Sequence, residues 1–201
     1  MTPLMNRRRY QDICDLIIEK LAVENNPEFR FELFSILLVH LSQIGDEADC
    51  KRWAETLTKE FDHYPYAWTA MARSGVGAPK RHNTHEEDLE ALGYYEIALD
   101  RARKCDQWVR DILFYSCRHL CGMEDFVRHE AYMREIMDDL ENEREVDIPF
   151  LEDDWLKRVP EGKMDEDLRR TYQALVVADK ARRRAAVEES VPTRSQLETF
   201  M

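Results

Sequence analysis

The stretch PKRHNTHEEDLEALGYYEIALDRA, from Pro79 to Ala102, decides the fold. Thr84 and Glu87 stand three residues apart before an apolar, aromatic-rich run, which is the capping-box signature of a helix N-terminus. Glu86, Glu87 and Asp88 also place negative charge in the first turn, where the positive end of a helix dipole favours it. The stretch therefore predicts a long helix that begins at about Thr84.

Helical periodicity continues along most of the 201 residues. One stripe at intervals of three and four contains Cys50, Trp53, Ala54, Leu57 and Phe61. The stretch 29–45 is apolar nearly all round, so we expect other parts of the protein to cover it on several sides. Sustained period-two alternation is missing from the sequence, and Gly and Pro number only 6 and 7. These patterns predict an all-α protein.

Two patterns in the sequence have the spacing of metal ligands. His82 and His85 stand beside acidic residues, and zinc would need two further ligands from elsewhere in the chain. The helix-start reading explains the same residues without a metal. Cys117 and Cys121 share a helix face, but that face is the apolar stripe that a helix buries. We therefore predict no metal site and no cofactor.

Charge and cysteine content bound the possible partners and the compartment. A formal charge of −12 disfavours binding to nucleic acid and anionic lipid, and basic segments are confined to 7–9 and 180–184. No apolar run reaches the length of a membrane span, and the N-terminal residues lack the apolar core of a secretion signal. The five cysteines are an odd number, and four of them fall at positions that a helix would bury. We therefore expect reduced thiols in a cytoplasmic protein.

Three helix–turn–helix units follow one another, with turns at Gly45, 75–84 and Gly122. The middle unit resembles the tetratricopeptide repeat, whose two helices span about 34 residues and carry small and aromatic residues at set positions. The residues that carry the resemblance are Ala67, Trp68, Met71 and Ala72 on the first helix and Ala91, Tyr95 and Ala98 on the second. In this alignment Cys50, Ala91 and Val127 occupy equivalent positions on the second helices.

The resemblance covers roughly residues 29–142 and implies an α-α superhelix of stacked antiparallel helix pairs. Residues 1–28 would then form an N-terminal capping helix, and 29–143 would form three degenerate helix pairs. Residues 144–189 would form C-terminal capping helices, followed by a flexible tail at 190–201. Packing of small residues between neighbouring helices would hold such a stack together.

In this family the ligand lies on the concave face that the first helix of each unit builds. The resemblance therefore implies a non-enzymatic adaptor that binds a protein or peptide there. Carried over by position, with the third unit fixed to within one residue, the partner-binding residues are Tyr66, Thr69, Arg73, Arg110, Phe114 and Arg118. Arginines in such a groove would suit an acidic segment or a terminal carboxylate.

Two other functions compete with the adaptor. A small acidic chaperone of a secretion system has a similar size and charge. A compact helical enzyme would use His82 and His85 with nearby acids. The sequence leaves the partner, the pathway and the oligomeric state open.

Overall fold

The computed structural model describes residues 4–74, 84–142, 157 and 159–190. Within these ranges the structure has eight α-helices and no strand, which confirms the predicted all-α class. The helices are α1 (Leu4–Val23), α2 (Pro27–Ile44), α3 (Glu47–Glu60), α4 (Pro65–Ser74), α5 (His85–Cys105), α6 (Val109–Gly122), α7 (Phe126–Asn142) and α8 (Glu166–Ser190). No helix in these ranges is long and apolar enough to cross a membrane.

The chain divides into two compact units, Met1–Asp125 and Phe126–Met201. The first unit contains α1 to α6, and consecutive helices within it pack on each other. The second unit contains α7 and α8, which also pack together. Helices α6 and α7, predicted to form the third helix pair, therefore fall in different units.

Local capping explains where α2 ends and α3 begins. Gly45 takes a left-handed conformation with φ 79°, and its amide donates to the Leu41 carbonyl. The side chain of Asp46 then accepts a hydrogen bond from the Asp49 amide at 3.0 Å and caps α3. The structure confirms the turn predicted at Gly45, where a left-handed glycine ends α2 and an acid caps α3.

The α5 N-terminus confirms the capping box. The Thr84 hydroxyl accepts from the Glu87 amide at 3.2 Å, and the Glu87 carboxylate accepts from the Thr84 amide at 2.7 Å. His85 is exposed at the start of the helix, and His82 lies outside the described residues. The helix-start reading of this stretch therefore holds, whereas the two-histidine metal site is untested.

Helix α4 is the most enclosed element of the first unit. Six of its ten residues are buried, namely Pro65, Ala67, Thr69, Ala70, Met71 and Ala72. It packs against α3 on one side and α5 on the other. The alanines allow this close approach because they add little volume between helix backbones.

The cysteines behave as small apolar side chains. All five are free thiols, and four of them are buried, as the sequence predicts. Burial raises the pKa of the Cys50 thiol to about 11 and the pKa of Cys117 well above its usual value. The Cys50 and Cys117 thiols therefore stay protonated at neutral pH and pack as small apolar groups.

The α7–α8 unit buries a histidine. The His129 side chain is 0% exposed and shares its core with Met133, Ile136 and Tyr172. Burial is the largest cause of its depressed pKa, which falls to about 4, and Arg169 lowers it further.

The exposure of Val127 contradicts one part of the predicted alignment. Val127 is 84% exposed, so its predicted equivalence with buried Cys50 and Ala91 is wrong.

We expect Thr84→Ala to lower the free energy of unfolding by about 1 kcal/mol, because it removes the N-cap acceptor of α5. Urea denaturation of the purified protein measures the change. His85→Ala is the matched control, since that side chain is exposed and leaves the capping box intact. Equal losses in the two variants would contradict the capping role of Thr84.

We expect stability to fall as the pH is lowered from about 6.5 to about 4. The unfolded His129 takes up a proton near its ordinary pKa of 6.5, whereas the folded side chain resists protonation until about pH 4. At about 1.4 kcal/mol per pKa unit, the loss approaches about 3 kcal/mol. Urea midpoints between pH 7 and pH 4 measure it.

His129→Gln should flatten this part of the pH profile because glutamine does not titrate. His63→Gln is the control, since His63 is exposed in the turn before α4. A profile that keeps the wild-type slope in His129→Gln would refute the assignment.

Candidate functional site

A row of aromatic side chains and one arginine crosses the open edge of α4 and reaches α6. The rings of Tyr66 and Trp108 meet edge-on at 5.9 Å. Two helical turns further along α4, the Arg73 guanidinium lies over the Tyr115 ring, 5.4 Å from the ring centroid. We call Tyr66, Arg73, Trp108 and Tyr115 the aromatic–arginine strip.

The strip continues onto α2 through Phe31. The Phe31 ring packs edge-on against Tyr66 at 5.6 Å and lies 4.9 Å from the ring of Tyr64. Phe31 and Tyr66 lie on α2 and α4, while Tyr115 lies on α6, so ring contacts connect every second helix. Helices α3 and α5 are also connected, in their case by an ion pair between Lys51 and Glu90 at 3.1 Å. Alternate helices therefore approach one another as they do in a stack of helix pairs.

Trp108 stands out by its backbone and its exposure. It precedes α6 in the left-handed conformation with φ 65°, and 52% of its surface is exposed. This conformation is unfavourable for a bulky side chain, and an exposed indole gains little from burial. Strain of this kind persists where the surrounding structure imposes it, and it concentrates at functional positions.

The strip rests on a buried polar contact between α5 and α6. Tyr115 stacks on buried Tyr95 at 6.2 Å, and the Tyr95 ring in turn lies 5.5 Å from the His119 ring. His119 Nδ1 is 2.7 Å from a carboxylate oxygen of Asp88, and both residues are buried. Burial is the main cause that lowers the His119 pKa, so the neutral ring donates its Nδ1 proton to Asp88.

Gly122 makes room for this buried contact. A Cβ atom at this position would lie 2.7 Å from Asp88 Oδ2, closer than packed atoms tolerate. Asp88 sits in the first turn of α5 and Gly122 is the last residue of α6, so the two helix ends meet here. A glycine at the end of α6 is thus required by the close approach of Asp88.

Charges of both signs lie near Tyr115: burial raises its pKa most, Arg73 lowers it and Asp111 raises it. Arg73 and Arg118 both lie near enough to Tyr95 to lower its pKa, although burial raises that pKa overall. Asp111 is the acid near this end of α6, and burial raises its carboxyl pKa. The Arg73 guanidinium offers an incoming carboxylate hydrogen-bond donors beside an aromatic ring, a combination that favours anionic peptide segments.

The structure brings some of the sequence-predicted residues together and separates others. Tyr66 and Arg73 lie in the strip, while Arg110 and Phe114 are half-buried on α6 and Arg118 is exposed there.

The structure corrects the prediction that Thr69 lies on the binding face. It is 5% exposed, and its hydroxyl donates to the Pro65 carbonyl at 3.1 Å. Its place in the buried side of α4 removes it from any binding face.

Trp108 and Tyr115 are the residues that the sequence reasoning missed. Trp108 lies in the connection before α6, where helical spacing assigns no face. Tyr115 is the residue after predicted Phe114 and was not selected, because the third unit was placed only to within one residue. Aromatic residues are enriched at binding surfaces, which is the sequence signal that would have selected both.

No metal-binding geometry emerges in the part of the chain that the structure describes. No group of three or more His, Cys, Asp or Glu side chains there is arranged to hold a metal ion. Buried His119 is already hydrogen-bonded to Asp88, and its lowered pKa keeps it neutral at pH 7. The arrangement offers cation–π contact, aromatic stacking and charge-assisted hydrogen bonding to a ligand.

No protein-family model matches the chain, and comparisons with curated proteins and with solved structures return no match. The resemblance to tetratricopeptide repeats is therefore carried by the residue pattern of the middle unit alone, and it stays a prediction.

We expect Gly122→Ala to destabilise the protein by about 1–3 kcal/mol, because the added methyl group displaces Asp88 from His119. Gly93→Ala, within α5, is the matched control. A Cβ there meets open space, so the substitution should stabilise the helix by about 1 kcal/mol. Thermal or urea unfolding of both variants measures the difference.

A double-mutant cycle isolates the cause. In an Asp88→Ser background the shorter side chain leaves room for the methyl group, so Gly122→Ala should lose most of its cost. A cost that persists unchanged without the Asp88 carboxylate would contradict the steric explanation.

Proposed function

We propose that this chain is a non-enzymatic interaction scaffold of the tetratricopeptide-repeat type, which binds an acidic peptide segment or a terminal carboxylate along the aromatic–arginine strip. The observation that carries the proposal is the position of Arg73 over the Tyr115 ring, on the same two helices where Tyr66 meets the exposed and strained Trp108. Arg, Trp and Tyr are the side chains that dominate binding energy at protein interfaces.

The support beneath the strip favours binding over a purely structural role. Tyr115 is held by stacking on Tyr95, which is itself fixed against the buried His119–Asp88 pair. A ligand would therefore find ring positions that are already ordered, which lowers the entropic cost of binding. The free thiols in the core are in keeping with the cytoplasmic compartment that belongs to this proposal.

The charge pattern selects the class of ligand. The protein as a whole carries a formal charge of −12, so an acidic ligand is repelled except where cations are concentrated. Arg73 on α4 and Arg118 on α6 are both exposed, and both act electrostatically on Tyr95, so we propose that they supply these cations. A guanidinium offers two parallel donors to a carboxylate, so these arginines suit acidic side chains and a chain terminus equally well.

The ligand class is tested with short synthetic peptides of acidic, neutral and basic composition, each with a free or an amidated C terminus. Fluorescence anisotropy gives the dissociation constants. We expect acidic peptides to bind and their affinity to fall at high salt, because exposed charges are screened. Loss of affinity on amidation would identify the terminal carboxylate as the recognised group. Equal affinity for all compositions would contradict the proposal.

We expect Arg73→Glu to weaken binding of the acidic peptide by 1 kcal/mol or more, about fivefold or greater in the dissociation constant. Trp108→Ala should weaken it similarly by removing exposed ring surface from the strip. Arg8→Glu is the matched control, because it makes the same charge change at an exposed position on α1. Equal weakening by Arg8→Glu would show that only net charge matters.

A further inference from the structure

The aromatic–arginine strip consists of two contacts that repeat at the same interval on two helices. On α4, Tyr66 and Arg73 are seven residues apart. Trp108, the residue before α6, likewise precedes Tyr115 by seven residues. The Tyr66 and Trp108 rings meet at 5.9 Å, and the Arg73 guanidinium lies 5.4 Å from the Tyr115 ring centroid. Because a helix rises about 1.5 Å per residue, the two contacts lie about 10 Å apart along α4.

The two contacts differ in chemistry. The contact between Tyr66 and Trp108 joins two aromatic rings, and Phe31 adds a third ring beside Tyr66. The other contact places the guanidinium of exposed Arg73 over a ring. We call these contacts the aromatic end and the arginine end of the strip. An apolar side chain of a ligand suits the aromatic end, and a carboxylate suits the arginine end.

A half-buried carboxylate, that of Asp111, lies between the two ends. Asp111 comes three residues after Trp108 and four before Tyr115, so helical spacing places it on the same side of α6. Its charge contributes to the raised pKa of Tyr115, for which burial is the largest cause, so the two side chains are near each other. Within the described part of the chain the Asp111 carboxylate has no hydrogen-bond donor, and Arg110 acts on it through charge.

The distance between the ends and the acceptor between them select a ligand conformation. A polyproline II peptide has three residues per turn and rises about 3.1 Å per residue, so residues i and i+3 lie on one side about 9 Å apart. That separation matches the distance between the two ends of the strip. The same conformation has no internal hydrogen bonds, so its backbone N–H groups are available to Asp111. Aromatic surfaces are also the usual binding place for peptides in this conformation.

We propose that the strip binds its peptide ligand in the polyproline II conformation. An apolar side chain of the ligand lies at the aromatic end, a carboxylate three residues away lies at Arg73, and a backbone N–H between them donates to Asp111. This inference rests on the proposed function and adds to it a conformation and a sequence pattern for the ligand. A helical ligand would cover the same distance with residues seven apart, but its N–H groups donate within the helix and give Asp111 no donor.

The sequence pattern is tested with end-blocked peptides that contain one phenylalanine and one glutamate among neutral polar residues. The two residues are placed two, three, four or seven positions apart, in both orders, and fluorescence anisotropy gives the dissociation constants. In one of the two orders, we expect the three-residue spacing to bind about tenfold more tightly than the two- and four-residue spacings, because it engages both ends of the strip at once. Proline at one intervening position should strengthen binding further, since it preorganises the peptide.

The role of Asp111 is tested by N-methylation of each intervening amide of the best peptide. Removal of the N–H that reaches Asp111 should weaken binding to the wild-type protein by about fivefold or more, because a hydrogen bond to a charged group is lost. Asp111→Ala should bind the parent and methylated peptides alike. Asp167→Ala is the matched control, since Asp167 is an exposed acid in the first turn of α8. It should keep the wild-type response to methylation, and circular dichroism should show unchanged helix content in both variants.

Three outcomes would overturn the inference. One is an affinity that does not change with spacing in either order, while sensitivity to Arg73→Glu still supports the proposed function. Another is tightest binding at the seven-residue spacing, which would assign a helical ligand. The third is an equal effect of methylation on the wild-type protein and on Asp111→Ala. Absence of acidic-peptide binding in the composition series is instead the failure of the proposed function, so the two failures are distinguishable.

Discussion

The arrangement of the first unit depends on the burial of α4, a helix of only ten residues. Its alanines, Ala67, Ala70 and Ala72, let α3 and α5 pack closely on either side. A helix this short has little stability of its own in water, so the surrounding helices must hold it. In return, α4 fixes the distance between the helices on either side of it and presents Tyr66 and Arg73 at its open edge.

The side chains at the open edge of α4 depend on a second constraint, the buried hydrogen bond between His119 and Asp88. Placing a carboxylate in the interior is unfavourable unless it is hydrogen-bonded, and the neutral imidazole supplies one donor. The contact joins the start of α5 to the end of α6 and fixes Tyr95, on which Tyr115 stacks. The position of the Arg73–Tyr115 pair therefore depends on side chains that solvent does not reach.

The aromatic–arginine strip combines a cation with aromatic rings, which suits a flexible acidic ligand. Its residues lie on α4, on α6 and in the connection before α6, so the proposed interaction depends on how these helices are held.

The sequence by itself determined the all-α class, the break at Gly45–Asp46 and the capping box at Thr84. These features depend on side chains within four residues of each other, so local spacing is sufficient to specify them. Burial of four cysteines was likewise readable from helical periodicity. The assignment of Thr69 to the binding face failed because the resemblance from which it was carried over assumes an open face on the first helix of each unit, whereas α4 buries six of its ten residues.

Only the tertiary structure decided which residues meet. Asp88 and His119 are far apart in sequence, and nothing local indicates that they share a hydrogen bond or that Gly122 must stay small beside them. Trp108 joins the strip through a left-handed backbone in a connection, where sequence assigns no direction to a side chain. The exposure of Ile36 and Val39 also became visible only in the fold, because a sequence shows that a helix is apolar all round but not which of its side chains are buried among the described residues.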